Sequence, residues 1–203
     1  MGDATTISAK DVKDLRDKTG AGMMECKKAL QETGGDLEKA IDWLRAKGAS
    51  KAAKRADKNA DEGFIGSYVH FDGKTAVIVE LNCETDFVAN TDAFRALAKD
   101  LALHIASAAP LAVSSDEMDP AVVEREREIY REQVRAEGKP DHIAGKIVDG
   151  KLQKFFKEFA LLSQTFVKDP DKTIEQLITD VSAKTGEKIA VARFARFKVG
   201  ERA

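Results

Sequence analysis

Along the first fifty residues the apolar positions recur at three- and four-residue intervals, the mark of helices that each bury one face. Ser8 precedes A-K-D-V-K-D-L-R-D-K with Asp11 three residues later, so Ser8 reads as an N-cap and the pair as a capping box with a shorter acid than usual. Val12 and Leu15 lie on the apolar side of this helix. T-G-A-G breaks it, M-M-E-C-K-K-A-L-Q-E makes a short second helix, and G-G-D opens a third, L-E-K-A-I-D-W-L-R-A-K, which Gly48 is expected to close. Leu37, Ala40, Ile41 and Leu44 give that third helix a buried face. Residues 1–48 thus read as a three-helix domain, small for an independent one.

Between Ala49 and Gly63 no large apolar residue occurs, so residues 49–62 read as a charged, alanine-rich linker, either a solvated helix or a flexible arm. Beyond it the hydrophobic period drops to two. F-I-G-S-Y-V-H-F and T-A-V-I-V-E-L-N flank Asp72-Gly73, a hairpin signal, and the second strand runs directly into N-C-E-T-D-F-V-A-N, Asn82 to Asn90. Phe94, Leu97, Ala98, Leu101 and Ile105 then mark a helix from residue 91 to about residue 108, with Thr91 or Asn90 as its cap. After Pro110, residues 121–136 form a charged helix with a thin apolar stripe of Val123, Tyr130 and Val134, and Gly138 and Pro140 separate it from a longer helical region holding Phe155 and Phe156. A helix over 173–184 and a last strand, I-A-V-A-R-F-A-R-F-K-V, complete the pattern. The fold class is α+β, with residues 63–203 as a core whose small antiparallel sheet is packed by helices.

Composition narrows the function without naming it. The 33 Lys+Arg and 35 Asp+Glu leave a net charge of −2, which offers no global attraction to nucleic acid or an anionic membrane. No apolar run approaches the roughly 20 residues a membrane span needs, and the first residues lack the apolar stretch of a signal peptide, so a cytoplasmic location is expected. Cys26 and Cys83 are far apart and outside any CxxC spacing, which argues for neither a disulfide framework nor a zinc site. No metal and no cofactor are expected.

Catalytic signatures are equally scarce. His70, His104 and His142 fall on different elements, and no G-x-S-x-G, Walker loop or H-E-x-x-H is present. Glu80, Glu84 and Asp86 are the one acidic group near a strand end, yet no further ligand or basic partner can be named beside them. Two apolar features stand out instead. Met23 and Met24 are adjacent on the second helix, so they point about 100° apart and at most one can sit fully in the core; methionine also suits adaptable protein-binding surfaces. Phe87 lies beside Thr85, Asp86 and Val88 where a strand becomes a helix. Either it folds back onto its own core, worth roughly 1.5–3 kcal/mol, or something else must cover it.

L-R-D-K-T-G-A-G-M-M-E-C-K-K-A-L at Leu15–Leu30 and E-T-D-F-V-A-N at Glu84–Asn90 strongly resemble the two signature segments of the elongation factor Ts family. K-I-V-D-G-K-L-Q-K-F-F-K-E and Q-T-F-V-K-D-P-D-K-T resemble its later segments in the same order. The resemblance implies a ubiquitin-associated-like N-terminal domain, an α+β core, and guanine-nucleotide exchange on elongation factor Tu without covalent chemistry. It assigns Leu15, Met23 and Met24 to contact with the partner's GTP-binding domain. The loop residues Thr85, Asp86, Phe87 and Val88 would act near the partner's magnesium and phosphate site. Only one core unit fits in this length, which is similar to the short members, and a homodimer carrying two partner molecules is implied, with the strand Ile189–Val199 as a candidate seam. Two other readings stand beside it: an adaptor that binds without exchanging nucleotide, and an enzyme using Glu80, Glu84 and Asp86.

Overall fold

The computed structural model describes residues 7–201. In chain order the elements are α1 (Ala9–Thr19), α2 (Met23–Glu32), α3 (Leu37–Ala53), β1 (Glu62–Val69), β2 (Thr75–Cys83), α4 (Asp86–Ala89), α5 (Asp92–Ala108), α6 (Pro120–Ala136), α7 (Asp141–Phe159), β3 (Thr165–Phe166), β4 (Asp169–Thr173), α8 (Ile174–Thr185) and β5 (Ile189–Lys198). The architecture is α+β. Contacts divide the chain into two units: one gathers residues up to Phe64 with Asn82–Arg95 and Ile178–Ala190, the other Ile65–Leu81, Ala96–Leu177 and the chain from Val191 onward.

In the first unit α1 to α3 enclose a core of Val12, Leu15, Cys26, Ala29, Leu30 and Ala40, edged by Leu37, Ile41, Trp43 and Leu44. The capping box forms as the sequence predicts: the Asp11 amide donates to the Ser8 hydroxyl at 3.1 Å and the Ser8 amide to the Asp11 carboxylate at 3.1 Å. Gly20, in the left-handed region at φ 66°, caps α1 by donating its amide to the Arg16 carbonyl. One boundary differs. Gly48 does not end α3, which continues to Ala53; it is buried, and a Cβ there would lie 3.0 Å from that of Ala183. That glycine serves close packing rather than helix termination.

The second unit centres on a three-stranded sheet ordered β1-β2-β5. The hairpin loop is longer than the Asp72-Gly73 pair suggests: the His70 amide donates to Thr75 and the Gly73 amide to His70, with Gly73 at φ 67°. β2 buries alternate residues, Val77, Val79 and Leu81, and α5 buries Leu97, Ala98, Leu101, Ala102 and Ile105. Gly66 on β1 lets α5 approach, since a Cβ there would lie 2.6 Å from the Ala98 carbonyl oxygen. α6 and α7 form an antiparallel hairpin whose apolar seam holds Val134, Val148 and Leu152, with Val123 and Tyr130 half-buried beside them. β3 and β4 make a two-stranded antiparallel ribbon that the sequence pattern does not announce, because its strands are too short for a period to register.

His104 is the one fully buried histidine among the described residues. Its Nδ1 accepts from the Val167 amide at 3.3 Å and its Nε2 pairs with the Gln164 Oε1 at 2.9 Å, so the ring is neutral with its proton on Nε2. Gln164 donates onward to the Glu158 carbonyl at 2.6 Å. Burial holds the imidazole below its ordinary titration range, partly offset by the Gln164 bond.

Candidate functional site

The stretch Asn82–Asn90 lies within the first unit, where β2 passes into the single turn α4. Thr85 is the N-cap, extended at φ −133°, and its hydroxyl accepts from the Val88 amide at 3.4 Å. At the other end the Asn90 amide and side chain both donate to the Asp86 carbonyl, at 3.0 and 2.9 Å, and Arg95 donates to the Asn90 Oδ1 at 2.7 Å. Thr91 then caps α5, its hydroxyl accepting from the Phe94 amide at 3.3 Å. These caps mark the two ends of the turn. Val88 faces inward and is 8% exposed, whereas Phe87 is 82% exposed and Asp86 beside it is exposed too. Phe87 therefore does not fold back onto its own core.

The residues preceding the turn are held by charges. Glu187 accepts from the Glu84 amide at 3.2 Å, from the Thr85 amide at 3.1 Å and from the Thr85 hydroxyl at 2.7 Å. Glu84 is gripped by the Arg55 guanidinium through two bonds, 2.7 and 2.5 Å, and by the Lys188 amide at 2.6 Å. The Arg55 bonds, then the Lys188 amide, lower its pKa to about 2, so it stays ionised at any physiological pH. Arg55, Glu187 and Lys188 have no signal in the sequence; their partners lie 29 to 104 residues away along the chain.

In the same unit α2 presents Met23 and Met24, 58% and 75% exposed, at its first turn. Leu15 is fully buried in the helical core and presents nothing to solvent. The acids do not converge: Glu80 bonds to Arg193 at 2.7 Å, Glu84 belongs to the Arg55 pair, and Asp86 is exposed on α4. Among the described residues no group of His, Cys, Asp or Glu could hold a metal ion. Cys26 and Cys83 are buried, and desolvation pushes both thiols up, away from reactivity. Among the described residues no helix is long and apolar enough to cross a membrane.

Large apolar side chains held out to water on a capped turn and a helix start, within an α+β fold, are suited to docking against another macromolecule. The family profile described as Elongation factor TS matches residues 5–201, and the chain belongs to the elongation factor Ts family of translation elongation factors. Curated relatives named Elongation factor Ts from Oleidesulfovibrio alaskensis, Nitratidesulfovibrio vulgaris and Thermosipho melanesiensis are 56%, 54% and 54% identical to it. Each alignment covers 96% of this chain and 98%, 97% and 100% of the relative, respectively.

Proposed function

We propose that this chain is a guanine-nucleotide exchange factor acting on elongation factor Tu. The observation that carries the reading is Phe87, 82% exposed on a turn capped at both ends. A bare phenylalanine on a fixed support is suited to enter a partner, because little of its own conformational freedom remains to be lost on binding. Met23 and Met24 dock on the partner's GTP-binding domain, with Leu15 acting from the core by holding α1 and α2 together. Phe87 wedges among side chains near the magnesium and phosphates while Asp86 and the neighbouring backbone, with Thr85 and Val88 as frame, disturb the groups that support the metal. The nucleotide's phosphates depend on that metal and on backbone amides, so their release follows. By linkage the nucleotide weakens binding of this chain by the same factor. No bond is made or broken by the factor itself.

By role, residues 1–48 serve as the docking module, 49–62 as a connecting segment and 63–203 as the core that dimerises in the cytoplasm. What supports the dimer is a shallow, mostly apolar cavity of about 240 Å³ on the sheet, lined by Ile65, Ile78, Phe194 and Ala195 together with the Glu80–Arg193 ion pair, with Ile65 and Ile78 more than half exposed. Sedimentation of the parent and of Ile78→Glu checks this: the parent runs as a dimer, and a monomeric parent removes the two-plus-two assembly. The exchange reading is tested by stopped-flow release of fluorescent GDP from elongation factor Tu. Acceleration by catalytic amounts of this chain is expected; binding without acceleration leaves an adaptor.

A further inference from the structure

We propose that Arg55, Glu84 and Glu187 are positioning residues, a clasp that aims Phe87 by tying the segment after α3 to the base of the α4 turn. The inference rests on the exchange reading and adds residues that reading does not include. Residues 54–58 lack large apolar side chains and look like free linker, yet they are tied at four points. Arg55 donates twice to Glu84, and the Lys188 ammonium donates to the Ala56 carbonyl at 2.6 Å and the Lys58 carbonyl at 2.9 Å. Glu84 and Lys188 are themselves joined through the Lys188 amide, and the neighbouring Glu187 holds the amides of Glu84 and Thr85. Every one of these bonds ends within three residues of Phe87 or on the segment that follows the docking module.

The physical need is plain. α4 has four residues, and a single helical turn has no stability of its own in water. Its N-cap bond, at 3.4 Å, is long. The direction of Phe87 is therefore set from outside the turn, by the carboxylate of Glu187 on the cap residue and by the bidentate Arg55 pair one residue before it. A planar guanidinium gripping both carboxylate oxygens fixes orientation as well as distance, which a lysine cannot do. Glu84 is only 14% exposed and Arg55 38%, so the pair is partly shielded from solvent. Its consequence is that the module carrying Met23 and Met24 and the turn carrying Phe87 present themselves to a partner as one preset surface.

The test uses the full chain with Arg55→Ala, Arg55→Lys and Glu84→Gln, each checked for folding by circular dichroism. The first readout is amide hydrogen exchange: faster exchange at Glu84, Thr85 and Lys188 is expected in Arg55→Ala, and unchanged protection there overturns the clasp. The second is GDP release from elongation factor Tu over a range of factor concentrations. Misaiming the wedge lowers the maximal rate by about tenfold, while the half-saturating concentration, set largely by docking, stays within about threefold. Arg55→Lys, keeping the charge without the fork, recovers part of the rate. A variant with exposed amides and an unaltered maximal rate overturns the positioning role. A parent that fails to release GDP overturns the exchange reading instead, with the amide data still reporting on the clasp. Should Arg55→Ala not fold, Arg55→Lys and Glu84→Gln carry both readouts.

Discussion

Replacing Phe87 by alanine separates a functional side chain from a structural one. The ring is 82% exposed, so folding recovers only about a fifth of the roughly 1.5–3 kcal/mol available from full burial, about 0.3–0.5 kcal/mol. Alanine also has the higher helix propensity, which offsets about that amount within α4. The unfolding midpoint in urea should therefore barely move. If Phe87 is buried in elongation factor Tu when nucleotide is displaced, the same truncation removes roughly 1.5–3 kcal/mol from the displaced state. At about 1.4 kcal/mol per tenfold, GDP release should slow by about 10- to 150-fold. Stopped-flow release of fluorescent GDP and urea unfolding, run side by side, decide it. A variant as stable as the parent and within about twofold of its rate would remove Phe87 as the wedge. An unfolding free energy lowered by more than about 1 kcal/mol would show that the ring packs within its own chain.

Met23→Ala combined with Met24→Ala should weaken binding to elongation factor Tu with little loss of stability, since both side chains are more than half exposed; unchanged affinity by calorimetry takes them out of the interface. Gly66→Ala places a Cβ 2.6 Å from a backbone oxygen of α5, which cannot rotate away, and should cost about 1–3 kcal/mol, whereas Gly145→Ala meets open space on α7 and should stabilise by about 0.5–1 kcal/mol; equal urea midpoints would refute the close approach of β1 and α5. His104 is held neutral by burial, so its contribution is complete above pH 6.5 and declines as pH falls below that value toward its depressed folded pKa. Urea midpoints at pH 7.5 and 5.5 should differ in the parent and much less in His104→Gln, and equal pH slopes would exclude His104 as the cause.

The helices, the Ser8 capping box, the hairpin and the turn at Asn82–Asn90 were legible because each depends on neighbours within a few residues: a period, a cap, a glycine of the right conformation. The two signature segments were legible for the same reason, as short contiguous strings that carry the family. Gly48 shows where that local reading stops. A glycine after a helical run is a sound stop signal, but Ala183, more than a hundred residues later, needed the space of a missing side chain, and α3 ran on to Ala53. The sorting of Leu15 inward and of Met23 and Met24 outward likewise followed from how three helices meet, not from the identities of the residues.

Tertiary structure alone decided which charges pair. Arg55 and Glu84, Glu187 and Thr85, and His104 and Gln164 are 29, 102 and 60 residues apart, and nothing in the spacing of such residues distinguishes a partner from a solvated neighbour. Sequence by itself determined the family, the fold class and the presence of Phe87 and both methionines at their signature positions. Folding determined that Phe87 stands exposed and that a clasp of opposite charges holds its base, because hydrogen-bond geometry exists only once distant segments have been brought within about 3 Å of one another.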